Sequence, residues 1–441
     1  MKYKQENLCS FLQAVLHLMS LIILLKEEKN SKHILINFLK CKEYQMNRIN
    51  NKMFSYDQLL LTAVLLLVII GIVSIYSASY AIAYLEYQDS YYFLKRHAVH
   101  LIIGIFLMGI LSLIDYRRLS KMSPIIMVLA VIILILAILP QTTMEINGAK
   151  RWVNLPFIPA FQPSELSKLA IIIYIAAWLS SRTGKDIGSV NALIGFVITI
   201  ATVSFLIMLE PDLGTTLLIT AVAGVMFFVA GAKLLHVIAL ALSSIISLIL
   251  FIVVKGYGLT RVMSFLSAES DPGGIGYQTL QLLIAFGSGG MTGLGLGTSR
   301  QKFFYLPAAH SDGILAVIGE ELGFVGVALI IMLFVTILVQ GLKIANKSSD
   351  EFGSILATGI SFMLFFQVLL NIGGISRTIP LTGIPLPMIS TGGTSLIVTL
   401  ASIGILFSIN KKIEPENKTR KKINVSPVEL NNKLNLSRRL K

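Results

Sequence analysis

The sequence has little charge and almost no cysteine. Only 14% of its 441 residues are charged, against about a quarter in an ordinary soluble domain, whereas 55% are hydrophobic. The mean hydropathy is +0.77. The two cysteines, Cys9 and Cys41, both lie near the N-terminus, which excludes a disulfide framework or a cysteine-based metal site in the rest of the chain. This composition predicts a polytopic membrane protein.

Several catalytic signatures are absent as well. No HExxH, GxSxG or CxxC occurs, so nothing supports a zinc protease, a serine hydrolase or a thiol oxidoreductase. The net charge of +14 does not call for a nucleic-acid partner, because Lys and Arg are concentrated towards the two ends of the chain. Basic ends of this kind are typical of cytoplasmic flanks under the positive-inside rule.

Ten apolar stretches are candidate membrane spans, each close to the roughly 20 residues that a crossing needs. They are residues 58–79, 97–114, 122–140, 163–181, 190–209, 213–231, 234–254, 313–342, 352–375 and 385–409. Basic residues recur in alternate loops, which predicts that both termini are cytoplasmic. The fold class is therefore predicted as all-α, with ten transmembrane helices and one long extracytoplasmic loop, residues 255–312, between spans seven and eight.

The two ends of the chain differ from this core. Residues 1–52 are expected to be an extension with a non-native or dispensable start, because a clean first span begins directly after them. The apolar segment Leu8–Leu25 leaves open an extra anchor or a signal-like segment. Residues 411–441 are basic and poor in apolar side chains, which predicts a disordered cytoplasmic tail. The ten-helix region is expected to occupy residues 53–410.

Ionisable residues are densest, within the apolar part of the chain, at the start of span eight. His310 and Asp312 enter this span, and Glu320 and Glu321 follow about two turns later. A carboxylate at the edge of the membrane is costly unless it has a partner or a function. The helix is predicted to begin at residue 313, with Asp312 or the serine before it as its N-cap.

Glycine and proline mark two irregular stretches. The run GSGGMTGLGLG, residues 287–297, has no GKS or GKT ending and follows no predicted βαβ strand, which excludes a P-loop and a dinucleotide fingerprint. It is expected to form a flexible or a tightly packed loop. Prolines and glycines also interrupt residues 380–393. Broken backbone at membrane depth is tolerated only against protein or a polar cavity, which predicts a cavity near the outer ends of spans eight and ten.

Three loops on the predicted outer face, residues 141–162, 255–312 and 376–384, carry basic side chains. Their cations are Lys150, Arg151, Lys255, Arg261, Arg300, Lys302 and Arg377. Long loops are exempt from the charge rule, but two of these loops are short. Basic side chains here would suit an anionic ligand, because Arg grips phosphate through two hydrogen bonds.

Two further motifs place charge at the edges of predicted spans. Glu165 and Lys168 lie on one helical face and can pair, either as an interfacial ion pair or facing a ligand, and the sequence favours neither. Glu210 and Asp212 flank Pro211 between spans five and six. Asp212 is predicted to cap span six, whereas Glu210, which precedes the proline, has no such explanation.

Five strings together identify a family. They are QPSELSKL (162–169), EPDLGT (210–215), the run from RVMSF to KFFYLP (261–307), LPAAHSDGILAVIGEELGFVG (306–326) and GIPLPMISTGGTSL (383–396). In order and content they resemble the SEDS family (shape, elongation, division and sporulation) over about residues 54–410. The stretch GTSRQKFFYLPAAH is closer to the division type, FtsW, than to the elongation type, RodA.

The resemblance implies an inner-membrane glycosyltransferase that polymerises peptidoglycan from lipid II at the division septum. It implies a class B penicillin-binding protein, a transpeptidase, as partner, together with other divisome membrane proteins. The essential aspartate of the family falls on Asp312, which is the predicted catalytic residue. The predicted substrate-binding residues are Lys150, Arg151, Glu165, Lys168, Arg261, His310, Glu320 and Arg377. Of the two glutamates in span eight, both are expected to support polar packing and one to face the cavity.

The implied chemistry is displacement of a lipid-linked diphosphate by a sugar hydroxyl, for which no ATP is needed. Arg151 and neighbouring cations would stabilise the leaving diphosphate. Asp312 would act as the base, or would hold a divalent metal, Mg²⁺ or Mn²⁺, on the diphosphate, and the sequence does not decide between them. A lipid II flippase, a scaffold that recruits the partner synthase and an elongation-type polymerase are the alternative functions.

Overall fold

The computed structural model describes residues 56–139, 143–146, 149–155, 158–182, 187–255, 265 and 275–423. Its helices are α1 (Tyr56–Tyr87), α2 (Tyr92–Leu113), α3 (Arg117–Ile138), α4 (Pro163–Ser180), α5 (Val190–Leu209), α6 (Leu213–Val229), α7 (Leu234–Lys255), α8 (Ile275–Ser288), α9 (Ile314–Lys347), α10 (Glu351–Ile375) and α11 (Gly393–Ile423). Its strands are β1 (Thr143–Ile146), β2 (Ala149–Leu155) and β3 (Ile158–Phe161). The predicted extension, residues 1–52, lies outside the described residues.

The mainly helical, multi-pass fold is confirmed, since each of the ten predicted spans falls on a helix. Among the described residues, eight helices are long and apolar enough to cross a membrane. The helix α6 is apolar but has 17 residues, fewer than the roughly 20 that a crossing usually needs. The helix α4 carries a buried ion pair, which makes it less apolar. Ten membrane crossings therefore stay a prediction. The core is a single cluster of buried aliphatic and aromatic side chains, to which every helix except α2 contributes. The side chains of α2 that pack against this core are only partly buried.

The C-terminal helix is longer than the sequence predicts. The helix α11 runs to Ile423, so residues 411–423, which were predicted to belong to a disordered tail, are helical. Lys and Glu, which dominate this stretch, are good helix formers, and an existing helix extends more easily than a new one nucleates. Residues 424–441 lie outside the described residues.

A small antiparallel sheet precedes α4, where the sequence predicts only a loop. Strand β1 pairs with β2, and β2 pairs with β3. The side chain of Val153, in the central strand, is fully buried. The sequence between β1 and β2 is Asn147-Gly148, which is typical of two-residue hairpin turns and could have predicted the first pairing.

The helix α9 is interrupted at Gly323, whose φ of 65° and ψ of −164° are not helical. The break leaves backbone groups without helical partners, and the glycine-rich loop supplies them. On one side of the break, the amides of Leu294 and Gly295 donate to the carbonyls of Glu320 and Glu321 at 2.9 and 3.0 Å, respectively. On the other side, the amides of Phe324 and Val325 donate to the carbonyls of Gly290 and Met291 at 2.9 and 3.2 Å, respectively. The glycine-rich stretch is therefore tightly packed, one of the two states that the sequence allowed.

Two glycines of this loop provide a matched test of that packing. Gly293 and Gly297 have nearly equal φ angles of 80° and 81°, but a Cβ on Gly293 would lie 2.1 Å from the Glu321 carbonyl oxygen, whereas a Cβ on Gly297 would meet nothing within 4 Å. We expect Gly297→Ala to lower the free energy of unfolding by about 1–2 kcal/mol, the cost of a left-handed non-glycine residue. Gly293→Ala should cost about 3 kcal/mol or more, because backbone must also move. Thermal unfolding in detergent would compare them, and equal losses would contradict tight packing.

Candidate functional site

Asp312 lies in the turn that leads into α9. Gly313 is the N-cap of this helix, so the predicted cap at Ser311 or Asp312 is wrong. The Asp312 side chain is half-buried, and its Oδ1 accepts a hydrogen bond from Ser311 Oγ at 3.1 Å. Gly383 lies opposite, where a Cβ would be 3.9 Å from Asp312 Oδ2. The carboxylate therefore faces the irregular segment before α11.

Three consecutive carbonyls, those of residues 310–312, are held by side chains from elsewhere in the fold. Asn371 on α10 donates to the Asp312 carbonyl at 3.0 Å. Ser390 donates to the Ser311 carbonyl at 2.6 Å. The amide and the hydroxyl of Thr391 donate to the His310 carbonyl at 3.2 and 3.0 Å. These bonds fix the backbone of the turn, and this is the physical reason why the helix begins one residue later than a capping Asp312 would place it.

A buried line of polar side chains continues from this turn towards α4. Gln367, one turn before Asn371 on α10, donates to the Pro385 carbonyl at 3.0 Å and accepts from Lys168 Nζ at 3.3 Å. Lys168 pairs with Glu165 at 2.8 Å, and both side chains are almost completely buried. The pair is therefore inside the protein rather than at the interface, and each charge has the partner that burial requires.

Gln367 and Asn371 are site residues that the sequence prediction missed. They stand four residues apart in the apolar sequence LFFQVLLNIGG, so they share one face of α10. Polar side chains inside a span commonly bond to neighbouring helices and mark functional interiors. Their spacing was a usable signal, although it did not say which neighbours they would reach.

Arg151 on β2 holds the turn between α5 and α6. Its Nε donates to the Glu210 carbonyl at 3.2 Å, and its Nη2 donates to the Pro211 carbonyl. Gly214, just beyond this turn, packs closely against the Ile384 side chain, since a Cβ on Gly214 would lie 2.9 Å from it. The turn held by Arg151 and the segment that faces the candidate catalytic acid therefore belong to the same end of the bundle.

The two acids of this turn have different environments. Asp212 caps α6 as predicted, with its Oδ1 accepting from the Thr215 amide at 3.1 Å. Glu210 is buried, and among the described residues neither of its carboxyl oxygens has a hydrogen-bond partner. Burial raises the pKa of Glu210 to about 9, with the charge of Asp212 adding to the rise and that of Arg151 opposing it. The Glu210 carboxyl is therefore neutral at pH 7.

This buried acid predicts a pH-dependent stability. The unfolded chain loses the Glu210 proton above about pH 4.5, whereas the folded protein keeps it up to about pH 9, so folding becomes less favourable as pH rises through that window. The cost is at most about 1.4 kcal/mol per pH unit for one group. Glu210→Gln, which cannot ionise, should flatten the fall in thermal unfolding midpoint between pH 6 and pH 8. An unchanged slope would show that Glu210 is ionised in the folded protein.

The glutamates of α9 bond to the loop that precedes the helix. Glu320 accepts from Ser299 Oγ at 2.6 Å and from the Arg300 amide at 3.0 Å. Glu321 pairs with Lys302 at 2.7 Å, and both side chains are buried. Lys302 was predicted to be an outer-surface cation suited to an anionic ligand, and that prediction is wrong, because Glu321 neutralises its charge inside the fold. Both glutamates support a polar network, as expected.

His310 packs its ring on Phe93 of α2, with the ring centroids 4.3 Å apart. Burial lowers the pKa of His310 to about 4, so its imidazole is neutral at pH 7. It can therefore offer a substrate a hydrogen bond but not a positive charge.

Three predicted substrate-binding residues remain, namely Arg377, Lys150 and Arg261. Arg377 donates from Nε and Nη2 to the Phe265 carbonyl at 3.2 and 3.0 Å. Lys150 lies on β2 beside Arg151, where its backbone pairs with Glu145. Arg261 lies outside the described residues. The substrate roles of these cations stay predictions.

The metal prediction concerns Asp312. Within the part of the chain that the structure describes, no group of three or more His, Cys, Asp or Glu is arranged to hold a metal ion. Mg²⁺ is commonly bound through one or two carboxylates, with substrate phosphates completing its shell, and a single half-buried carboxylate fits that arrangement. Mg²⁺ or Mn²⁺ at Asp312 stays a prediction.

Comparison with protein families gives one consistent answer. The model of the cell cycle protein family FtsW/RodA/SpoVE matches residues 57–414. Stage V sporulation protein E of Bacillus subtilis is 39% identical over 366 residues, which cover 82% of this chain and 99% of the relative. The probable peptidoglycan glycosyltransferase FtsW of Geobacter sulfurreducens is 36% identical over 359 residues, which cover 81% of this chain and 96% of the relative.

Solved structures agree with these relatives. A chain of a peptidoglycan synthase complex, described for its coordination of polymerization and crosslinking, superposes with a TM-score of 0.67 at 28% identity, over 80% of this chain and 97% of that chain. The rod shape determining protein RodA of Thermus thermophilus superposes with a TM-score of 0.60 at 27% identity, over 82% of this chain and 98% of that chain.

Proposed function

Because the chain belongs to the FtsW/RodA/SpoVE cell cycle protein family, we propose that it is a peptidoglycan glycosyltransferase that polymerises lipid II into glycan strands at the outer face of the inner membrane. The observation that carries the proposal is the half-buried Asp312, whose backbone is fixed by α10 and by the segment before α11. A carboxylate carried on a backbone held this firmly is suited to catalysis, because the turn needs no reorganisation before the reaction. Relatives named as peptidoglycan glycosyltransferases support the activity.

In the proposed reaction, a hydroxyl of the acceptor sugar attacks the anomeric carbon of a lipid-linked donor sugar. Asp312 takes the proton of that hydroxyl as the new C–O bond forms. The bond between the anomeric carbon and the diphosphate breaks, and the lipid diphosphate leaves with the electron pair. Cations at the same end of the bundle, Arg151 among them, stabilise the departing charge. Asp312 then returns its proton to water.

A divalent ion would supply a second route to leaving-group stabilisation, in which the Asp312 carboxylate positions Mg²⁺ or Mn²⁺ on the diphosphate. The two roles of Asp312 differ in one simple measurement. If Asp312 acts as a base alone, synthesis persists after treatment with EDTA. If it holds an ion, EDTA stops synthesis and added Mg²⁺ or Mn²⁺ restores it.

The proposed partner is a class B penicillin-binding protein that cross-links the strands, within a larger group of divisome membrane proteins at the septum. The solved complex that coordinates polymerization and crosslinking supports a partner of this kind. The apolar helices and the family support a multi-pass membrane location. A fluorescent fusion that localises along the side wall instead of the septum would favour the elongation-type polymerase.

The experiment that tests the function is polymerisation of fluorescent lipid II by the purified full chain, with and without the partner. We expect strands that separate by length on a gel and that disappear on treatment with a muramidase. A protein that binds lipid II with its partner present and makes no strands would contradict the proposal and favour the scaffold.

A flippase needs a polar path across the whole membrane, and the buried polar line described above argues against it. That line ends at Glu165 and Lys168, which lie in the first two turns of α4, at the end of the bundle that carries Asp312. Liposomes that report lipid II translocation separately from polymerisation would decide between these functions. Translocation without strand formation would support the flippase.

A further inference from the structure

A groove lies between the last turns of α1 and the loop that precedes α9. Its lining residues are Tyr80, Ala81, Tyr84, Leu85, Ser90 and Phe304, and its volume is about 380 Å³. This volume is within the usual range for ligand cavities, about 300–1,000 Å³. None of the lining residues is acidic or basic, and their polar side-chain groups are hydroxyls. The groove, called here the tyrosine groove, is therefore suited to an uncharged ligand.

The length of α1 places the tyrosine groove near the water rather than among lipid chains. The apolar helix from Gln58 to Tyr87 has 30 residues, which is about 45 Å at 1.5 Å per residue. About 20 of these residues are enough to span a hydrocarbon core of about 30 Å, and a helix tilt of about 20° changes that number little. The turns that carry Tyr80 and Tyr84 therefore project to the headgroup level or beyond it.

Aromatic rings connect the groove region to the candidate catalytic turn. Tyr87, at the end of α1, stacks on Tyr92 with ring centroids 3.7 Å apart. Tyr92 contacts Phe93 at 5.3 Å, and Phe93 contacts His310 at 4.3 Å. His310 is two residues before Asp312. A chain of ring contacts therefore runs from the end of α1 to the turn that carries Asp312.

Phe304 has a backbone conformation that bulky side chains rarely adopt. Its φ is 68°, and its side chain is 56% exposed within the groove. A left-handed non-glycine residue of this size is strained, and such strain is found mainly at functional positions. Tyr84, across the groove on α1, is also 56% exposed. Two large aromatic side chains that are both exposed in one groove indicate a ligand that contacts their rings.

We propose that the tyrosine groove binds sugar rings of the glycan strand already made, so that the product stays on the enzyme between additions. The proposal rests on the glycosyltransferase function above. A pyranose ring has an apolar face of C–H groups, and a tyrosine ring offers a matching flat apolar face, which agrees with a groove lining that is almost wholly apolar. The lack of Lys and Arg in the lining suits sugars rather than the diphosphate, which would need cations.

The test compares strand lengths made from fluorescent lipid II by the full chain with its partner. Tyr84→Leu removes the ring and keeps an apolar side chain, whereas Tyr84→Phe keeps the ring. We expect Tyr84→Leu to shorten the mean strand severalfold while the rate of the first coupling stays within about twofold of wild type, and Tyr84→Phe to restore the length. Phe304→Leu should shorten the strands in the same way as Tyr84→Leu. This second variant keeps the proposal testable if one of the two proteins fails to fold.

Tyr305→Leu is the matched control, because Tyr305 is 58% exposed, is adjacent to Phe304 and does not line the groove. It should leave strand length unchanged. Wild-type lengths in both groove variants, or equal shortening in the control, would overturn the proposal. If leucine is tolerated but Tyr84→Ser raises the KM for lipid II, the occupant is the lipid chain and the proposal is wrong. If wild type makes no strands, the glycosyltransferase function fails first, and this proposal fails with it.

Discussion

Asp312→Asn is expected to lower the rate of glycan-strand synthesis by about 10²–10⁴-fold, the usual contribution of a positioned general base. Asparagine has nearly the same shape and can still accept the hydrogen bond from Ser311, but it cannot take a proton. The carbonyls that anchor the turn belong to the backbone and are unaffected by the change. The loss should therefore appear in kcat, with expression and thermal unfolding close to wild type.

Asp89→Asn is the control for this experiment. Asp89 lies in the turn between α1 and α2, at the same end of the bundle, and it pairs with Lys95 rather than with residues of the candidate site. The same substitution there should leave synthesis nearly unchanged. Turnover by Asp312→Asn close to that of Asp89→Asn would remove Asp312 from the mechanism, while a loss restored by added Mn²⁺ would point to the metal-holding role.

Lys302→Met is expected to destabilise the protein by about 3–5 kcal/mol, because it leaves the Glu321 carboxylate buried without its cation. The pair joins the loop before α9 to the region of α9 beside its break, and Ser77 of α1 donates to the same carboxylate at 2.7 Å. Its loss should weaken three elements at once. The thermal unfolding midpoint in detergent would measure the effect.

Lys95→Met provides the matched comparison. The Lys95–Asp89 pair has nearly the same length, 2.8 Å against 2.7 Å, but its side chains are 70% and 34% exposed, against 1% and 4% for Lys302 and Glu321. An exposed pair contributes little to stability, because water and salt screen its charges. Lys95→Met should therefore leave the thermal unfolding midpoint close to wild type. The double variant Lys302→Met with Glu321→Met should be less destabilised than Lys302→Met alone, since it buries no uncompensated charge. Equal losses at the two lysines would show that burial does not strengthen this pair.

The sequence predicted the helices well because a membrane span needs only length and continuous apolarity. It placed α5 at its observed bounds and found the cap at Asp212, which depends on neighbours a few residues away. It missed the sheet before α4 and the break at Gly323, since both depend on partners distant in sequence. The Lys302 prediction failed for a related reason. A basic residue in a loop says nothing about whether an acid from another element will reach it.

The sequence by itself determined that this is a mainly helical multi-pass membrane protein, and its motifs identified the family and gave Asp312 as the predicted catalytic residue. Both properties are local, being carried by side-chain type and order along the chain. Only the tertiary structure decided how Asp312 is held, which cations are already paired inside the fold and where the aromatic groove lies. These depend on hydrogen bonds and contacts between residues that are far apart in sequence, such as Asn371 with the carbonyl of Asp312 and Lys302 with Glu321. No pattern along one chain specifies them.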